Sequence, residues 1–198
     1  MATGGALEIE AKFRVADFTS VHSGLSAAGA ARVGRVVETN RFFDRPDHSL
    51  RQAGCGLRLR SIRPLDGPAR SATLTFKGPL LPGPLKTRPE CEIAVNEADR
   101  AAELLRHLGF VETLTFEKVR ESWRLGRCSV ELDVLPLIGR FVEIEGPDEK
   151  EIDSARGILG LADARIERDS YLGLLVQRCR EGGADLTRLR LPPEAVHG

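Results

Sequence analysis

The chain has 198 residues, enough for one domain with a substantial core, and its 29 Lys and Arg balance its 29 Asp and Glu. A formal net charge of zero excludes a general nucleic-acid binder, which would carry a basic excess. The four cysteines, Cys55, Cys91, Cys128 and Cys179, form no C-x-x-C pair, which excludes a zinc ribbon or a disulfide framework.

In chain order, residues 7–15 alternate apolar and charged, the period of a β-strand. Asp17 is placed to cap a helix whose apolar face is Phe18, Val21, Leu25 and Ala28. Residues 36–43 and 56–62 read as strands separated by a turn at Pro46-Asp47 and Gly54, and 71–77 as another after the 64–68 loop. The Pro- and Gly-rich stretch 78–89 is expected to be a long mobile flap, followed by a strand at 90–95. Asn96 is expected to cap a helix with Ala101, Leu104, Leu105 and Leu108 on one face and Gly109 as its stop. Three strands follow at 114–125, 128–134 and 141–145, the first two joined by a tight turn at Gly126-Arg127. A helix then carries Ile152, Ala155 and Leu159, and a last one runs from Ser170 to about Arg180 behind Asp169. The domain is expected to span 5–180, with 181–198 a loosely ordered tail. Cys91 and Cys128 fall on the apolar phase of their strands and are expected in the core.

Strands with inserted helices and no regular βαβ alternation argue α+β with an antiparallel sheet. So many strands with two-faced alternation favour closure into a barrel, apolar face outward beneath the helices and charged face inward. The charged positions lie two residues apart on strand after strand. The cations are Lys12, Arg58, Arg60, Lys77, Arg88, Lys118 and Arg120; the acids are Glu8, Glu10, Glu90, Glu92, Glu131, Asp133, Glu143 and Glu145. Isolated burial of such charges is very costly, so they must face one another, a ligand, a metal or water. A lone strand of this kind is commonly a solvated face with cross-strand ion pairs. Repetition on many strands points instead to a cavity suited to a polyanion and a divalent cation, with arginines for phosphate and carboxylates for a hard metal.

The order of these motifs resembles the CYTH domain family, the triphosphate tunnel metalloenzymes. Glu8-Ile9-Glu10-Ala11-Lys12 is similar to its E-x-E-x-K signature, and Asn40-Arg41-Phe42-Phe43-Asp44 to its second-strand motif, with Phe42 where members often carry Tyr. Leu57-Arg58-Leu59-Arg60, Phe76-Lys77-Gly78-Pro79 and Lys118-Val119-Arg120 resemble its cationic strands; Glu131-Leu132-Asp133 and Phe141-Val142-Glu143-Ile144-Glu145 resemble its late acidic ones. Arg168-Asp169-Ser170-Tyr171-Leu172 looks most like the class IV adenylate cyclase-like branch.

The resemblance implies a closed eight-stranded antiparallel barrel, open at both ends, with helices packed outside. It implies Mg²⁺ or Mn²⁺ on Glu8, Glu10, Asp133, Glu143 and Glu145, and phosphates on Lys12, Arg58, Arg60, Lys77, Lys118 and Arg120. Lys12, Glu10 and Asp133 would be catalytic, with Arg88, Glu90, Glu92 and Glu131 as further candidates. The expected ligand is a small-molecule triphosphate: ATP, inorganic triphosphate or thiamine triphosphate. The reaction is either cyclisation of ATP to cyclic AMP and pyrophosphate or hydrolysis of a triphosphate; a non-catalytic polyphosphate- or nucleotide-binding module is the alternative, and retention of the acids speaks against it. The first residues include acids and no long apolar run, so neither signal peptide nor membrane anchor is expected, and the protein is read as a cytoplasmic monomer or homodimer with no nucleic-acid or membrane partner.

Overall fold

The computed structural model describes residues 6–65, 71–182 and 189–192. Eight strands are formed: β1 (Ala6–Val15), β2 (Ala31–Asp44), β3 (Gly56–Pro64), β4 (Ser71–Lys77), β5 (Lys86–Val95), β6 (Val111–Leu125), β7 (Cys128–Leu135) and β8 (Gly139–Glu145). They close in the order β1-β5-β4-β3-β2-β6-β7-β8, so every strand has a neighbour on both sides. Every pairing is antiparallel. The expected eight-stranded barrel is the fold.

Strand alternation sorts the side chains. Ala11 and Phe13 of β1 point outward and join Val130, Leu132, Val142 and Ile144 in a core under α1 (Thr19–Ala27) and α4 (Glu149–Ile158), whose Val21, Leu25, Ile152 and Ala155 complete it. The two helices touch closely: a Cβ on Gly24 would stand 2.7 Å from the Ile158 carbonyl oxygen. A second outer core places Ala102 and Leu105 of α3 (Ala98–His107) over Phe43, Leu57 and Leu59. The outer face of β5 is covered only at its Val95 end, beneath α3; Ile93 and Cys91 are exposed, the latter where a core position was expected, and Cys128 is buried as expected.

Several boundaries move. β2 and β6 run longer than their alternation suggests, because the two pair with each other over almost their whole length. A short α2 (Ser49–Gln52) fills the β2–β3 connection, its first turn held by the Asp44 carboxylate, which accepts from the Leu50 and Arg51 amides at 3.0 and 3.1 Å. Asp17 accepts from the Thr19 amide at 2.8 Å, but it stands one residue before the N-cap of α1, which is Phe18 and makes no side-chain cap bond. Asn96 does not cap α3; Glu97 stands at that position without a side-chain cap bond.

The stretch expected to be a mobile flap is half strand. β5 begins at Lys86, and the remaining loop is pinned by a Leu81–Thr87 bridge and by Arg168, which donates to the Gly83 and Pro84 carbonyls at 3.0 and 2.9 Å. Pro89 has no N–H to give the ladder, and its carbonyl accepts from the Gly78 amide at 2.8 Å. Gly126 turns β6 into β7 at φ 57°, the left-handed conformation a two-residue hairpin requires.

Two features depart from the expected barrel open at both ends and loosely ordered tail. Helix α5 (Tyr171–Gly182) does not pack outside the wall. Its Leu174 and Leu175 share a core with Phe42, Leu114, Phe116, Leu135 and Phe141, which are on the inward phase of their strands, so α5 stops one end of the barrel. Part of the tail is ordered: Leu189 bridges to Phe116 alongside β6, and Leu191 packs on Val37 and Val119; residues 183–188 and 193–198 lie outside the described set.

Candidate active site

The interior is lined by the charged phase of the strands. Its centre is a lattice of alternating charge. Asp133 on β7 is fully buried and accepts from Lys118 at 3.0 Å, from Arg120 at 2.7 and 2.5 Å, and from the Tyr171 hydroxyl at 3.0 Å. Arg120 also donates to Glu143 at 2.5 Å. Glu38 on β2 is 2% exposed and faces Arg60 and Lys118, each at 3.4 Å. Burial alone would raise the Glu38 and Glu143 carboxyls; Lys118, Arg120 and Arg60 around the first, and Arg120, Lys118 and Lys12 around the second, outweigh it and hold both well below the usual carboxylate range. Arg120 gains the reciprocal benefit, its burial offset chiefly by Asp133 and Glu38.

Glu8, Glu10 and Glu145 sit apart from this lattice. Glu10 pairs in register with Glu145 across β1 and β8, and burial, then Glu143, pushes its carboxyl up despite Lys86 at 3.4 Å. Burial and then Glu8, Glu10 and Glu90 push Glu145 up likewise. Glu8 accepts both ways from Lys77 at 2.6 and 2.7 Å, and Lys77 also meets Glu90 at 2.8 Å. These are carboxylates crowded against one another, the condition a hard divalent cation relieves. Lys12 lies between the two regions, 4.0 Å from Glu143; burial, and Lys86 beside it, lower its ammonium to about 8.

The structure thus brings Lys12, Arg60, Lys118, Arg120, Asp133 and Glu143 together, and Glu8, Glu10, Glu90, Glu145 and Lys77 in a second group. Asp133 and Glu143 are placed as acceptors for cations rather than among the crowded acids. Glu131 accepts from Ser122 and faces Arg120; Glu92 accepts from Thr75, near Arg58; Arg88 lies in register with Glu8. Among the described residues no three His, Cys, Asp or Glu side chains converge closely enough, as they stand, to hold an ion. The donor set of Glu8, Glu10 and Glu145 nevertheless fits Mg²⁺ or Mn²⁺ in chemistry, being oxygen-only and under-neutralised.

Three residues of the site are absent from the sequence expectations. Glu38 has Val36 and Asn40 two residues to either side and so lacks the paired pattern. Lys86, 4% exposed, fell in the stretch read as a loop; it bridges Glu10 and the Asp169 carbonyl, the latter at 3.1 Å. Tyr171 reaches in from α5, its ring 4.2 Å from Lys12 Nζ and 5.2 Å from Lys118 Nζ, and no strand period could place it. Two depressions of about 420 and 510 Å³ lie outside the wall beside α3, sharing Thr39, Ser61, Asp99 and Glu117, and touch none of the groups above.

Comparison with known proteins agrees with this fold. The chain is 30% identical over 184 residues to the adenylate cyclase CyaB of Aeromonas hydrophila, covering 87% of this chain and 91% of that one. A structure of a Pyrococcus horikoshii protein superposes with a TM-score of 0.72 at 28% identity, over 86% of this chain and 98% of the other. A Hippeastrum protein, HpAC1, shares the fold at a TM-score of 0.66 and 21% identity, over 94% and 98%. Residues 6–171 match the model of the CYTH domain, and the chain belongs to that family.

Proposed function

We propose that this protein is an enzyme that cleaves a small-molecule triphosphate inside the barrel with Mg²⁺ or Mn²⁺. The observation that carries the reading is the division of one interior into a cationic region and a crowded acidic one. Arg58, Arg60, Lys118 and Arg120 would bind phosphoryl oxygens, with Glu38 and Asp133 holding those side chains in place through charge-assisted bonds. Glu8, Glu10 and Glu145 would hold the metal, which supplies charge neutralisation and Lewis acidity at the phosphoryl group. Lys12 Nζ, near 8, can hold or release a proton close to neutral pH at the junction of the two groups. Tyr171 and the apolar plug of α5 exclude water from the stopped end.

Two reactions use such a site. The likeness to an adenylate cyclase supports attack by the ribose 3′-hydroxyl of ATP on the α-phosphorus, giving cyclic AMP and pyrophosphate. The lining supports hydrolysis: its polar groups are charges suited to a phosphate chain, and none among the described residues is an evident adenine reader. The fold does not choose, since HpAC1 shares it and is described as having a dominant triphosphatase activity. Incubation with ATP, inorganic triphosphate and thiamine triphosphate, with each metal and with products resolved, decides between them. No turnover of any of the three would leave a binding module instead.

A further inference from the structure

Among the described residues, five buried side-chain polar atoms lack a hydrogen-bond partner: Glu38 Oε2, Asn40 Nδ2, Arg58 Nε, Arg60 Nε and Thr73 Oγ1. All five belong to β2, β3 and β4, which are adjacent in the barrel. Glu38 is still neutralised by its ion pairs, and the arginines are expected of an anion site. Asn40 and Thr73 are different, being neutral and unneeded for charge balance. Asn40 is 1% exposed on the inward phase between Glu38 and Phe42. Its register partners are Arg60, which only donates, and Phe116, which accepts nothing. Arg60 in turn pairs with Thr73, so Asn40, Arg60 and Thr73 form one row across the wall. The next inward residue on β4 behaves otherwise: Thr75 donates to Glu92 at 2.6 Å and receives Arg58 at 3.4 Å. Buried polar groups are paired almost everywhere in folded proteins, so a row of unpaired donors in register on the inward face of the wall marks where a partner goes.

We infer that Asn40 and Thr73, with Arg60 between them, form a subsite for the non-bridging oxygens of one phosphoryl group. The subsite rests on the triphosphate reading above. Nδ2, Nε and Oγ1 can all donate, and a phosphoryl oxygen offers several lone pairs and no proton. Neutral donors suit this wall because its cation density is already high: burial, then the neighbouring Arg60, lowers the Arg58 guanidinium to about 10. An amide and a hydroxyl add hydrogen bonds without adding charge.

The test uses Asn40→Leu and Thr73→Val, which keep volume and remove the donors, with Arg60→Ala as the control. Metal-free binding of inorganic triphosphate is measured by calorimetry, and melting temperature is measured without ligand. Each donor deletion is expected to weaken binding about 10-fold or more while leaving the melting temperature equal or higher, since an unpaired buried group is removed. Asn40→Asp should weaken binding further than Asn40→Leu by placing an anion in the row. If Arg60→Ala weakens binding while Asn40→Leu and Thr73→Val do not, the subsite is wrong and the triphosphate reading stands. If all three bind as the parent does, the triphosphate reading fails. Should Asn40→Leu melt early, Thr73→Val carries the same test alone.

Discussion

At the scale of the residue, the interior works because cations and carboxylates are partly paired and partly held in reserve. Among the described residues Arg60 has one ion-pair partner, Glu38, and an unpaired Nε, so Arg60→Ala should weaken metal-free triphosphate binding by about 1.5–3 kcal/mol. Glu143 shares Arg120 with Asp133, so Glu143→Ala should remove a carboxylate that repels phosphate, leave Arg120 held by Asp133, and leave metal-free binding unchanged or tighter. Calorimetry on the two variants checks the pair, and equal weakening would make their role structural. Glu38 adds a pH dependence. Its folded carboxyl lies below the unfolded value, so the unfolded chain takes up the proton first and stability falls as pH drops through and below the ordinary carboxylate range. Glu38→Gln should melt well below the parent at pH 7, where removing one partner of a buried pair costs about 3–5 kcal/mol. The gap should narrow toward pH 3. A constant gap in melting temperature across that range would rule out Glu38 as the source.

At the scale of the element, contact outweighs propensity. Alanine favours a helix over glycine by about 1 kcal/mol, yet Gly24→Ala in α1 should destabilise by about 1–3 kcal/mol because its Cβ would meet the Ile158 backbone oxygen, which cannot turn aside. Denaturant unfolding gives the sign directly, and a stabilised variant would mean that α1 and α4 do not approach as described. Helix α5 is held by burial rather than by its own sequence. Leu175 is fully buried against the inward aromatic residues, so Leu175→Ala should cost about 2–5 kcal/mol. It should also disturb Tyr171 and with it Lys12, so a fall in turnover larger than the change in triphosphate affinity is expected from steady-state kinetics.

At the scale of the whole molecule, closure of the sheet turns six scattered pairs of like charges into one site. A divalent ion bound to Glu8, Glu10 and Glu145 would stabilise the fold by mass action. Titrating Mn²⁺ should therefore raise the melting temperature of the parent, and Glu8→Gln or Glu145→Gln should abolish that rise while leaving the metal-free fold intact. An undiminished rise in both variants would move the metal elsewhere. No helix among the described residues is long and apolar enough to cross a membrane.

The alternation of Glu8, Glu10 and Lys12, repeated in Arg58 and Arg60, Lys118 and Arg120, and Glu143 and Glu145, determined by itself the strands, the inward charge and the family likeness, because a period of two assigns a face without knowledge of neighbours. It could not determine which charges would meet. Asp133 was expected among the metal ligands, and only the β6–β7 register and the arrival of Tyr171 from α5 commit its two oxygens to cations. Glu38 was missed because no like charge stands two residues from it, and Lys86 because its stretch reads as a loop; the importance of each comes from partners distant in sequence. The closing of one barrel end by α5, and the unpaired row of Asn40, Arg60 and Thr73, are likewise decided by tertiary structure, because both depend on which side chains face each other across a closed sheet.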